Sequence, residues 1–155
     1  MSIAIALSKQ FDRGWCMIDT TVAAFSEVAW RTAGRDYLCP ARLAYHIAGT
    51  VEYYVGDDSD IAWSHRCNAD WKELDAAKLP SQVETTEHLH EARQKMHDWI
   101  ENRDDESILG PLTNHRHCGQ TKLEFALYIL RHTLHHHGEM NALSVLEGAE
   151  SDNWR

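Results

Sequence analysis

The sequence predicts an all-α protein and, within that class, an antiparallel four-helix bundle. Three observations carry this. Apolar residues recur at steps of three and four over long stretches, the period of a helix face. No stretch alternates apolar and polar residues as a half-buried strand does. Only three prolines, Pro40, Pro80 and Pro111, punctuate the chain, and they divide it into four blocks.

The first block, residues 3–33, repeats apolar side chains at Leu7, Phe11, Trp15, Ile18, Val22, Phe25 and Ala29, and Gly34 supplies a stop. Gly14 inside it weakens the helix slightly. The second block opens on Pro40, a favourable first-turn residue, and carries Leu43, His46, Ile47, Thr50 and Tyr54 before Gly56-Asp57-Asp58 ends it. The third opens at Ser81, whose spacing to Glu84 is that of a capping box. It buries Leu89, Ala92, Met96, Trp99 and Ile100. Glu101 to Glu106 is acidic, and Gly110-Pro111 breaks the chain. Thr121 with Glu124 repeats the capping box and opens the fourth helix; Gly138 costs it some helicity and leaves room for a kink or an end, and Met140 to Leu146 reads as its continuation. About 25 residues separate the second and third helices. That is long for a compact bundle and predicts a crossover rather than simple up-down neighbours.

The chain of 155 residues has the length of one domain spanning 1–155, and no composition shift divides it. Its 15 Lys+Arg against 24 Asp+Glu give a formal charge of −9, the opposite of the basic footprint that nucleic acid requires. No apolar run approaches the roughly 18 residues of a membrane span. The opening residues lack the positive region of a secretory signal. Cys16, Cys39, Cys67 and Cys118 form no C-x-x-C pair and read as reduced thiols of a cytoplasmic protein.

The unusual count is 11 histidines, four of them within six residues: His132, His135, His136 and His137. On a helical projection Phe125, Ile129, His132, His136, Met140 and Leu143 share one side, so His132 and His136 sit one turn apart in an apolar stripe. His46 occupies the same kind of position among Leu43, Ile47 and Thr50. Neutral imidazoles in a core need polar partners, and a shared metal ion satisfies them together. Three imidazoles would leave metal positions open, as in catalytic sites. The competing reading is a set of hydrogen-bonded core histidines. His135 and His137 read as surface or packing residues.

The segment H-x-x-x-H-x-G-E at His132 to Glu139, with the lone inward His46 in "RLAYHIAGTVEYY", resembles the DinB (YfiT-like) family, and the resemblance covers most of the chain. It implies a four-helix bundle with an unusual crossover and a divalent metal (zinc, nickel or iron) on His46, His132 and His136. It also implies metal-dependent transfer or isomerisation with low-molecular-weight thiols, although many family members have no assigned reaction. The family more often has glutamine where this chain has Glu139. That carboxylate shares the histidine face and is open to four readings: an acceptor for an imidazole N–H, a fourth ligand, a proton carrier or a solvated side chain.

His115-x-His117-Cys118, with Cys67, is a lesser zinc candidate whose spacing fits no standard finger. Glu87 and His90 have di-iron spacing but no partner motif on a second helix. His88 and His90, two apart, cannot both point inward. No serine nucleophile motif, P-loop or dinucleotide fingerprint is present. Trp15 and Trp99 fall on core stripes, and Trp63 and Trp71 are candidates for a pocket mouth. Two hypotheses follow. One is a metal-dependent enzyme on small molecules, thiol S-transferase-like or, behind that, a hydrolase. The other is a non-catalytic stress-related or partner-binding bundle. A homodimer is the expected assembly on the general prevalence of symmetric pairs.

Overall fold

The computed structural model describes residues 2–56, 72 and 75–149. These form six α-helices: α1 Ile3–Ala23, α2 Ala29–Thr32, α3 Pro40–Val55, α4 Gln82–Glu101, α5 Asp105–Leu109 and α6 Lys122–Leu146. No strand occurs among the described residues; two isolated β-bridges, Arg35 with Leu38 and Pro111 with Thr121, close turns. Trp63, Cys67, Trp71 and Trp154, including the proposed pocket-mouth tryptophans, lie outside the described residues.

The local signals act as expected at most helix ends. Ser81 and Glu84 close both halves of a capping box at α4, and Thr121 and Glu124 do the same at α6. Pro40 opens α3, where its missing N–H costs nothing. Gly34 lies just past α2 at φ +85, and a Cβ there would meet the Leu38 carbonyl oxygen at 1.8 Å, so only glycine fits that turn.

One helix end differs from the expectation. The first block is not one helix: α1 ends at Ala23. The Gln82 side-chain amide, at the start of α4, donates to the carbonyls of Val22 and Phe25 and so caps α1 from another helix. Ser26 then accepts from the Ala29 N–H and starts α2 afresh. At the other end of the chain, α6 runs through Gly138 to Leu146, the continuation read from Met140 to Leu146.

The four long helices pack as a ring in which α1 and α3 each touch α4 and α6. Two seams are antiparallel. Asp12 meets Arg93 and His97 while Asp19 meets His90, and His46 meets His132 while Tyr54 meets Tyr128. The other two are parallel. Tyr45 packs on His88 while Glu52 meets Lys95, and Gly14 faces Leu130 and Leu134 while Thr21 meets His137. The bundle is therefore up-down-down-up, and the expected antiparallel order holds for two seams of four. Parallel neighbours require the chain between α3 and α4 to return the length of a helix, about 24 Å for 16 residues. That requirement accounts for the long connection read from the sequence.

Side-chain size sets the closeness of these seams. Gly14 is buried, and a Cβ on it would stand 3.3 Å from Leu134 Cδ2, so its smallness lets α1 approach α6. The core runs through Phe11, Trp15, Ile18, Trp30, Leu43, Ile47, Leu89, Met96, Ile100, Phe125 and Ile129. Trp99 is half-buried against it. Helix α3 is buried on nearly its whole circumference, 13 of 16 residues, and so forms the centre on which both α4 and α6 pack.

Candidate metal centre

The α3–α6 seam brings His46, His132 and His136 together. One donor nitrogen from each lies within 4.8 Å of the others, and the ring centroids are 4.9, 4.8 and 4.6 Å apart. Antiparallel packing puts the single histidine of α3 opposite the i,i+4 pair of α6. His46 Nε2 and His132 Nε2 face each other at 3.1 Å. Donors on a tetrahedral ion at 2.0–2.1 Å would sit about 3.3 Å apart, close to that spacing. His46 is buried, and the other two are half-buried.

The surroundings keep the rings neutral. Burial, and then the neighbouring His132 and His136, push His46 down to about 2. Burial, followed by His136 and His135, pushes His132 down to about 4. Burial also lowers His136, against an opposing pull from Glu139. Neutral imidazole is the ligand form, so no proton need leave before an ion binds. His132 turns its Nε2 towards His46, while its Nδ1 is buried with no hydrogen-bond partner among the described residues. A trio of neutral nitrogen donors converging within 4.8 Å fits a borderline divalent ion such as zinc, nickel or iron.

Glu139 lies against the trio: its Oε2 is 2.6 Å from His136 Nδ1, so it accepts from that ring and leaves Nε2 for the other two histidines. Thr50 Oγ1 lies 3.5 Å from His46 Nδ1. Tyr128 stacks on His132 at 6.4 Å, and its hydroxyl is 3.4 Å from that of Tyr54, which also meets His117 Nε2 at 3.0 Å. Burial holds the Tyr54 phenol protonated well above its usual range.

Other candidates are placed elsewhere. His137 is buried and pairs with Thr21 at 3.0 Å, a packing role, while His135 is exposed. His88 points inward and His90 outward, as their two-residue spacing requires. His115, His117 and Cys118 gather around Tyr54 but form no donor cluster among the described residues, and Cys67 lies outside them. Cys16, Cys39 and Cys118 are free thiols. No helix among the described residues is long and apolar enough to cross a membrane.

Sequence reasoning missed the buried Glu52, whose carboxylate takes His88 Nε2 at 2.6 Å and Lys95 Nζ at 2.7 Å across the α3–α4 seam. One signal pointed to it. Residues 40–55 hold only two charged side chains, Arg42 and Glu52, and a helix that apolar is buried all round and must pair its charges.

Depressed histidines make the metal-free fold acid-sensitive. In the unfolded chain each ring protonates near 6.5; in the folded chain it stays neutral far below that. The unfolded state therefore binds more protons below 6.5, and stability falls as pH drops from about 6.5 towards the value of about 4 for His132, with His46 extending the loss further. Urea unfolding of chelator-treated protein between pH 7.5 and 4.5 should show this, with up to about 1.4 kcal/mol per pH unit for each fully shifted ring. A flat profile would contradict the buried, neutral trio.

Fold and site together define an all-helical bundle with an inward histidine trio on one seam. No protein-family model, curated protein or solved structure matches the chain.

Proposed function

We propose that the chain is a DinB-like, divalent-metal-dependent enzyme acting on small molecules, with thiol transfer as its reaction class and His46, His132 and His136 as its metal ligands. The single observation that carries the reading is the convergence of three neutral imidazoles from two helices, with two Nε2 atoms 3.1 Å apart. The parallel run of α3 and α4, and the H-x-x-x-H-x-G-E segment, support the family assignment.

An ion bound there would supply Lewis acidity, holding a substrate thiol as thiolate or bringing a bound water near neutral pKa. The chain's own residues do the rest. Three histidines present neutral donors, and no fourth donor joins them among the described residues, which leaves room for substrate. Glu139 fixes the ring of His136 through Nδ1. The hydroxyls of Tyr54 and Tyr128, on the same seam, offer hydrogen bonds that orient a substrate. The substrate class is a low-molecular-weight thiol with an electrophile, and the working assembly is a cytoplasmic homodimer.

The test is a screen of the chain loaded with zinc, nickel or iron against pairs of thiols and electrophiles. Conjugation should appear, stop on chelation and return on reloading. Rates indifferent to chelation would remove the metal from the chemistry. A loaded chain inert to thiols and esters alike would leave the non-catalytic bundle as the reading.

A further inference from the structure

A second donor group lies on the outer side of the trio. One nitrogen from each of His135 and His136 and one oxygen of Glu139 fall within 4.8 Å of one another. The i,i+4 and i,i+3 spacings stack these side chains over one turn of α6. The carboxylate bridges them, with Oε2 2.6 Å from His136 Nδ1 and Oε1 3.5 Å from His135 Nε2. Exposure is graded inward: the side chain of His135 is 66% exposed, that of Glu139 22% and that of His136 12%. Donors therefore run without interruption from solvent to the buried His46.

We propose that His135, Glu139 and His136 form an outer divalent-cation site, a loading station that captures an ion from solvent and passes it inward to the trio through His136. The proposal rests on the trio being a metal site. Its physical basis is desolvation. The inner donors are neutral and partly buried, so an aqueous ion entering them directly must give up hydration with no carboxylate to offset the loss. Glu139 is the one anionic member of the two groups, and it stands where the ion is still half in water. The chain's charge of −9 adds a favourable long-range field for cations.

The transfer is a ligand exchange with no redox step. In the outer state His136 binds through Nδ1 and keeps its proton on Nε2. In the inner state it binds through Nε2, and Nδ1 regains a proton and donates it to Glu139, the contact seen here. The proton moves between the two nitrogens through solvent. His135 is released as His46 and His132 engage.

The test follows cobalt(II) uptake by its visible absorption, with time resolution. His135→Ala should load about tenfold more slowly at an unchanged equilibrium affinity. Because His135 is mostly exposed, the substitution leaves the fold intact. Loading of His135→Ala at the parent rate would overturn the station while leaving the trio standing. In His132→Ala, one weak equivalent of cobalt should persist, and it should vanish in the His132→Ala/His135→Ala pair; no residual binding in His132→Ala would also overturn the station. A parent chain that binds no cobalt would instead overturn the trio itself.

Discussion

Zinc should raise the melting temperature of the chelator-treated chain by about 8–16 °C at a free ion concentration a thousandfold above its dissociation constant, and His132→Ala should abolish most of that rise. A ligand bound only by the folded state contributes RT ln(1 + [L]/Kd), about 4 kcal/mol at that ratio. In a chain of this length each kcal/mol moves the midpoint by roughly 2–4 °C. The metal-free variant should melt within a few degrees of the metal-free parent. His132 is half-buried, and its Nδ1 has no hydrogen-bond partner among the described residues; losing the Nε2 contact with His46 at 3.1 Å costs about 1 kcal/mol, a shift of a few degrees. That near-equality separates lost binding from lost folding. Thermal melts by circular dichroism, with and without zinc, provide both readings. A full zinc shift in His132→Ala would refute the trio, since one of its three donors would then be dispensable.

Features set by neighbouring residues were legible before any coordinates. The capping boxes at Ser81 and Thr121 depend on residues three apart, and the inward face of His132 and His136 depends only on helical period. The partnership of His46 with that pair was legible because its stripe of Leu43, Ile47 and Thr50 is equally regular. Features set across the bundle were not. The end of α1 is fixed by Gln82, some sixty positions away in sequence, and no residue near Ala23 announces it. Which seams run parallel depends on how the α3–α4 connection travels, and periodicity carries no information on that. The outer station was half legible: the spacing of His135 and Glu139 is plain, but an exposed histidine becomes interesting only once the inner trio is in place. Glu52 and His88 fall in the same category, since each is an ordinary polar residue until the other is found opposite.

Glu52→Ala should destabilise the fold by roughly 3–5 kcal/mol, the range for breaking a buried charge pair from one side. Glu52 is 1% exposed, and both carboxylate oxygens are engaged, Oε2 by His88 and Oε1 by Lys95. Lys95 is half-exposed and can turn to water when its partner goes. His88 cannot. It is 2% exposed, packs edge-on to Tyr45, and its Nδ1 has no partner among the described residues, so losing Glu52 leaves both ring nitrogens unmet there. The penalty therefore resides in the stranded imidazole more than in the lost ion pair, and this gives the prediction its second arm. A Glu52→Leu/His88→Leu pair, which removes both polar groups and fills the space, should recover most of the loss. Urea unfolding of Glu52→Leu, His88→Leu and the pair forms a double-mutant cycle whose coupling should be about 2–3 kcal/mol, the upper part of the range typical of contacting residues. Additive losses would mean the α3–α4 seam is held by its apolar contacts alone, with the Glu52 bridge incidental to them.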